Sequence, residues 1–178
     1  MSSWKPGDRR ADPTSMLRVN QAGEYGATRI YAGQLAVLRR SSPESKLISR
    51  MAAQEERHLK RFNALLAERR VRPTLLQPVW NVAGFALGAA TALMSPQAAM
   101  ACTDAVETEI DQHYGGQLKE LRDEDPELAA DIAEFQAEEL EHRDVARDAG
   151  AANAVGYPLF TAVIRAGCRA AISLSKRI

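Results

Sequence analysis

The sequence predicts an all-α fold: a four-helix bundle built from a duplicated helical hairpin, plus a connecting apolar helix and a C-terminal helix. Three observations predict it. Alanine, leucine, arginine and glutamate dominate while β-branched residues are sparse, which favours helix over strand. Long stretches are punctuated by capping residues followed by proline, as at Asp12-Pro13, Ser95-Pro96 and Asp125-Pro126. Two Glu-x-x-His pairs, Glu55/His58 and Glu139/His142, each follow a lone glutamate, Glu24 and Glu107, about 31 residues upstream.

The elements follow in order. Residues 1 to 12 read as a loose polar arm, and residues 13 to 178 as one domain. A first helix starts near Asp12-Pro13 and runs to about Arg40, stopping at Ser41-Ser42-Pro43. A second runs from Pro43 to Arg70, with Pro73 beyond it. A third lies within Gln77 to Met94. A fourth runs from Ser95-Pro96 to about Asp123, and a fifth from Asp125-Pro126 to the Gly150 region. A sixth opens at Val155-Gly156-Tyr157-Pro158 and reaches the C-terminus. At 178 residues, 46% hydrophobic and 26% charged, the chain can bury a sizeable core and is not of disordered composition.

The two halves repeat. Glu24 and Glu107 each open a Glu-x6-Tyr-x-Gly-Gln-Leu pattern, which places Tyr31 and Tyr114 at matching positions. The second helices then match around Glu55/His58 and Glu139/His142, with one extra residue in between. A duplicated hairpin packed about a pseudo-two-fold axis brings both ligand sets together.

Residues three apart share a helix face, so each Glu-x-x-His pair aims two ligands at one centre. The lone glutamates complete a set of Glu24, Glu55, His58, Glu107, Glu139 and His142, the donor pattern of two-metal carboxylate bundles. Four carboxylates balance two divalent ions. Mostly oxygen donors with one imidazole per ion suit iron or manganese; structural zinc favours cysteine or more histidine. A single Glu-x-x-His is usually a solvated surface pair; two copies in a duplicated frame point to metal. Glu56, Glu138 and Glu141 rotate off the ligand face and read as salt-bridging surface residues. Tyr31 and Tyr114 share the ligand face two turns on, as core filling or as part of the site. His113 is rotated from Glu107 and reads as a pocket residue rather than a ligand.

Lys+Arg and Asp+Glu are equal at 23 each, which gives no electrostatic case for nucleic acid. Cys102 and Cys168 have no metal or redox spacing and read as buried small apolar residues in a reducing compartment. The first residues form no secretory signal and no organelle presequence. From Pro73 to Thr103 there is no charge. The apolar heart, Val79 to Met94, spans roughly 24 Å as helix, against a hydrocarbon core of about 30 Å, too short to cross. A buried connector and an interfacial helix are the two readings. Four long helices already supply a core, so membrane contact beside Trp80 and Phe85 is preferred. The basic C-terminal helix, with Leu159, Phe160, Ile164, Ile172 and Leu174, is expected on the same surface.

Asn20-Gln21-Ala22-Gly23-Glu24, Ile30-Tyr31-Ala32-Gly33-Gln34, Glu55-Glu56-Arg57-His58, Ala101-Cys102-Thr103, His113-Tyr114, Glu138-Glu139-Leu140-Glu141-His142 and Ala166-Gly167-Cys168 together resemble the demethoxyubiquinone hydroxylase family of ubiquinone biosynthesis. The resemblance covers roughly residues 16 to 178. It implies a ferritin-like fold and two iron ions (Fe) per chain. Glu24, Glu55 and His58 would serve one, Glu107, Glu139 and His142 the other, with Glu55 and Glu139 bridging. It implies an O2-dependent monooxygenase acting on a polyprenylated demethoxy-quinol, with NADH as electron donor. His113 and Tyr114 are implicated by it in handling the quinone and its electrons. A lipid-binding accessory protein is an implied partner, and a homo-oligomer is left open. The expected place is the periphery of a membrane: the cytoplasmic face in a bacterium, or the matrix face of the mitochondrial inner membrane for a mature form. Two rival readings use the same residues: a ferritin-like iron oxidase, storage or peroxide-scavenging protein, and a non-enzymatic helical scaffold around a structural metal.

Overall fold

A computed structural model describes residues 11–121 and 124–178. The elements are α1 (Pro13–Val37), α2 (Pro43–Glu68), α3 (Gln77–Met94), α4 (Pro96–Leu121), α5 (Pro126–Asp148) and α6 (Tyr157–Ser175), with a short 3-10 turn at Ala151–Asn153. No strand occurs among the described residues. Residues 1 to 10 of the expected arm, and residues 122 and 123 at the expected end of the fourth helix, lie outside them.

Each long helix starts where side-chain chemistry dictates. The Asp12, Ser42 and Asp125 side chains accept hydrogen bonds from the amides of Ser15, Ser45 and Leu128, each at 3.1 Å. Ser95 accepts from Ala98 at 3.0 Å. A proline follows each cap, supplying a helical φ where no amide partner exists anyway. The caps repeat at an offset of 83 residues and the ligand pairs at 84. The extra residue of the second hairpin therefore lies inside α5, between its cap and Glu139.

The first helix is shorter than expected. Leu38 is already extended, with ψ 142°, so α1 ends at Val37 rather than near Arg40. Ser42, the residue before Pro43, is likewise extended, as the proline requires, and caps α2. At the far end of α2, Arg70 takes a left-handed φ of 54° and stops that helix. Gly150, at φ 90°, does the same after α5.

Helices α1, α2, α4 and α5 enclose the core. One apolar cluster, around Phe62, Leu65, Tyr114, Leu128, Ile132 and Phe135, closes one end of the bundle. Another, around Ile48, Met51, Met100 and Ala146, closes the other. Arginines on α2 tie it to α5: Arg61 donates to Asp131 at 2.8 Å and to Glu127 at 2.9 Å.

Helix α3 lies outside this frame, pressed on α1 through small residues. A Cβ built on Gly88 would sit 1.9 Å from the Ile30 carbonyl oxygen, and one on Gly33 2.2 Å from that of Phe85. The two backbones therefore touch, which only glycine permits. Helix α6 rests on α4, anchored by buried Glu109, which accepts from Arg165 at 2.5 Å and Arg169 at 2.7 Å.

Candidate metal centre

The fold draws the six paired residues into one buried cluster. Glu24 comes from α1, Glu55 and His58 from α2, Glu107 from α4, and Glu139 and His142 from α5. All are at most 1% exposed. Their donor atoms form two overlapping groups, each within 4.8 Å: Glu24, Glu55, His58 and Glu139, and Glu55, Glu107, Glu139 and His142. Glu55 and Glu139 belong to both.

The two histidines face the carboxylates with the same nitrogen. His58 Nδ1 lies 3.1 Å from Glu139 and 3.4 Å from Glu24. His142 Nδ1 lies 3.1 Å from both Glu55 and Glu139. His58 also stacks on Phe135, with ring centres 4.1 Å apart.

Four carboxylates this close oppose one another. Burial and the neighbouring charges, Glu139 foremost, push the Glu55 carboxyl well above its usual range. Burial and Glu139 push Glu107 the same way. Burial alone would raise Glu139 too, but the close His142 and His58 imidazoles outweigh it and hold this carboxyl at about 2. Burial alone would lower His58; its bonds to Glu139 and Glu24 prevail and raise it to about 10. The cluster retains protons where it lacks positive charge.

Several of its atoms have no hydrogen-bond partner: Glu24 Oε2, both oxygens of Glu55, Glu107 Oε2, Glu139 Oε2 and His142 Nδ1. Buried polar atoms are rarely left so. Six that converge on one interior space fit a cation site, and an oxygen-rich set with one imidazole per group fits iron or manganese.

The two tyrosines cross the bundle. Tyr31 on α1 donates to Glu107 at 2.7 Å, and Tyr114 on α4 donates to Glu24. Each hairpin's tyrosine thus orients the other hairpin's glutamate. Both rings are buried, so core filling and site orientation are the same placement.

A family profile described as "Ubiquinone biosynthesis protein COQ7" matches residues 11–175, nearly the whole chain. The chain belongs to the COQ7 family. Among similar proteins is one from Rhodospirillum rubrum named 3-demethoxyubiquinol 3-hydroxylase, 54% identical over 91% of this chain and 76% of its own length. A human relative named NADPH-dependent 3-demethoxyubiquinone 3-hydroxylase, mitochondrial, is 52% identical over 95% of this chain and 79% of its own. A Saccharomyces cerevisiae relative named 5-demethoxyubiquinone hydroxylase, mitochondrial, is 44% identical over 92% and 77%.

Beside the cluster, this COQ7 chain holds an apolar cavity of about 420 Å³ between α1, α3, α4 and α6. Gly23, Val106, Trp80, Leu87 and Ile164 are among its walls. Gly23 and Val106 directly precede the ligand-set members Glu24 and Glu107, so α1 and α4 each carry cavity walls on one face and a cluster glutamate on another. Cys168, expected to be buried, is only partly so and lines this cavity; Cys102 is fully buried. Both are free thiols, and burial pushes each up to about 12.

His113 stands apart from the cluster. Gln117 donates from Nε2 to His113 Nε2 at 2.9 Å and to Asn20 at 2.8 Å, while Asn20 donates back to Gln117 at 2.8 Å. Burial, helped by Lys176, lowers His113 to about 4 and holds it neutral. It lines a small polar pocket with Glu109, Arg169 and Lys176.

The expectation that Glu138 is merely a surface salt bridge needs correction. Glu138 does pair with Arg57, but its Oε2 also lies 2.9 Å from His58 Nε2. Gln54 holds the equivalent post behind His142 Nε2, at 3.0 Å. Both were missed because rotation on their own helix turns them off the ligand face; they serve the histidine of the opposite hairpin. The duplication was the available signal, since each directly precedes a ligand-set glutamate. Glu56 and Glu141 are exposed, as expected.

The apolar segment needs a correction too. Trp80 does not face outward: its indole N–H donates to Ser175 at 3.1 Å, and its ring walls the cavity. Phe85 is exposed, as expected, with the Arg29 guanidinium over its ring. With Phe85, the outer face comprises Leu75, Val79, Val82, Leu93 and Met94 on and beside α3, and Val155, Leu159, Val163 and Leu174 on and beside α6. Ile164, expected on that surface, turns inward. Among the described residues no helix is long and apolar enough to cross a membrane.

Proposed function

We propose that this chain hydroxylates the ring of a polyprenylated demethoxyubiquinol, using two iron ions and dioxygen, at a membrane surface. The observation that carries the reading is the pairing of the buried carboxylate–histidine cluster with an apolar cavity walled by two of the same helices, α1 and α4. Iron storage requires no such cavity. The names of the relatives, from a bacterium and from mitochondria, supply the substrate.

Glu24, Glu55 and His58 would hold one ion and Glu107, Glu139 and His142 the other, with Glu55 and Glu139 between them. Two ferrous ions, when bound, supply the paired electrons that dioxygen needs. The protein's own residues do the rest. The Tyr31 and Tyr114 hydroxyls fix Glu107 and Glu24. The cavity walls exclude water from an oxidising centre. At about 420 Å³ the cavity takes a quinol ring and the first part of a tail. The rest of a polyprenyl chain then extends along the apolar face of α3 and α6 into lipid. That face, flanked by the basic Arg169, Lys176 and Arg177, supports peripheral seating on an anionic membrane. Either the cytoplasmic face in a bacterium or the matrix face in a mitochondrion satisfies this geometry. His113, neutral beside the polar pocket, is suited to meet a quinone oxygen or reductant there. A lipid-presenting accessory protein would meet the same apolar face.

The test is reconstitution with ferrous iron, demethoxyquinone and oxygen, supplying NADH or NADPH in parallel. NADH is the donor the family resemblance implies, and NADPH is the one in the human relative's name. Mass spectrometry should find ring-hydroxylated product, and His142→Ala should abolish it. Iron-loaded protein that mineralises iron but gives no product from either nucleotide overturns the proposal.

A further inference from the structure

The residues behind the two histidines are not alike. An oxygen acceptor stands behind each ring: Glu138 Oε2 at His58 Nε2, 2.9 Å, and Gln54 Oε1 at His142 Nε2, 3.0 Å. Such an acceptor holds a ring proton on Nε2, so Nδ1, turned to the carboxylates, is the nitrogen whose lone pair a cation would take in place of a proton. Gln54 and Glu138 hold equivalent places in the two hairpins, yet one is an amide and the other a carboxylate. Arg57 fixes Glu138, donating to it and to Glu134 at 2.8 Å. The Gln54 amide nitrogen reaches Glu138 at 3.5 Å, so the two acceptors also lean on each other.

We infer that this difference makes the two metal positions unequal: the position at His58 binds a divalent cation more tightly and fills first. The inference rests on the two-metal reading above. A carboxylate draws on the Nε2 proton more strongly than an amide oxygen does. It leaves more electron density on Nδ1 and adds negative charge behind the ion. Glu138 and Gln54 are positioning residues that act through the imidazoles. The pseudo-two-fold frame is thus broken at one pair of residues, directly behind the donors.

Mn(II) alone, titrated into the full chain, provides the test. Calorimetry gives the affinities, and electron paramagnetic resonance separates lone ions from coupled pairs. His142→Gln leaves the His58 position intact, and His58→Gln leaves the other. The His142→Gln protein should bind one Mn(II) about tenfold more tightly than the His58→Gln protein, within the range by which such outer partners tune metal sites. Adding Glu138→Gln to the first should erase the advantage. Adding Gln54→Glu to the second should confer a similar gain, which a merely structural role would not. Equal affinities in the two single-site proteins, or no gain from Gln54→Glu, overturn the inference while the unsubstituted chain still binds two ions. If the histidine variants do not fold, Glu138→Gln in the otherwise natural chain decides: the first of the two binding steps should weaken, and an unchanged first step overturns the inference. No Mn(II) binding by the unsubstituted chain overturns the two-metal reading itself.

Discussion

The interior of α1, α2, α4 and α5 and the outer layer of α3 and α6 reverse the usual distribution of polarity. The interior buries four carboxylates and two imidazoles; the outer layer exposes valines, leucines and a methionine. Stability favours neither arrangement. A buried unpaired charge costs several kcal/mol after relaxation, and a contiguous exposed apolar patch invites association. On the proposed function each region is matched by a partner the protein does not itself supply: cations for the first, a lipid surface for the second. The apolar cavity lies where the two regions meet.

The strongest way to break this comparison is to remove the interior's demand for cations while keeping its shape. Glu55→Gln is isosteric and takes away a carboxylate shared by both donor groups. Product formation should fall at least 100-fold, at the top of the range seen when even outer partners of a metal are lost. The metal-free protein should be as stable as the parent or more so, because Glu55 is already driven towards its neutral form. An equal drop in metal-free melting temperature and in activity would mean that Glu55 is structural.

The outer layer can be broken on its own. Val82 and Leu93 are 69% and 73% exposed, so Val82→Glu with Leu93→Glu should leave folding within about 0.5 kcal/mol of the parent. Flotation with anionic liposomes should weaken at least about tenfold, since two buried-in-lipid side chains become charged. Turnover of a short-tailed, water-soluble quinone should persist. Unchanged flotation would separate this face from the membrane.

The smallest effect, and the one that sharpens the comparison, is the pH dependence of metal stabilisation. In the metal-free protein His58 is raised to about 10, so its stabilising proton is fully present below the ordinary histidine range and lost as pH climbs towards 10. The raised Glu55 and Glu107 act in the same sense, since the fold also loses stability as they shed protons with rising pH. Cations replace those protons. The rise in melting temperature on adding Mn(II) should therefore grow from about pH 6 to about pH 8, with protons released on binding. A gain that shrinks over this window would show that the cluster does not exchange protons for metal.

How much of this was legible in the sequence differs between the same two regions. The interior was readable because each donor pair lies on a single helix turn, and because the duplicated frame repeats Glu24 with Tyr31 as Glu107 with Tyr114. Helix starts were readable from the Asp-Pro and Ser-Pro steps. What failed there was information held between helices. Glu138 and Gln54 look outward on their own helices and matter only because the opposite hairpin brings a histidine to them. In the outer layer composition gave the apolar character but not its orientation. Trp80, the most lipid-like residue of the segment, turns inward because Ser175 on α6 offers its indole a partner. The smaller Val82 and Leu93 are left outside. One-dimensional hydropathy carries no record of which side a neighbouring helix occupies.

The glycine crossing of α1 and α3 has a consequence for where the chemistry happens. With Gly33 against the Phe85 backbone and Gly88 against that of Ile30, close packing of this kind brings helix axes towards roughly 8 Å. On a bilayer, α3 would act as a spacer one helix thick beneath α1, the helix that carries Glu24. On the proposed function, a quinol ring and the first part of its tail would then climb only about that distance from the acyl chains. Bulky residues at the crossing would lift the floor of the reaction chamber away from its supply.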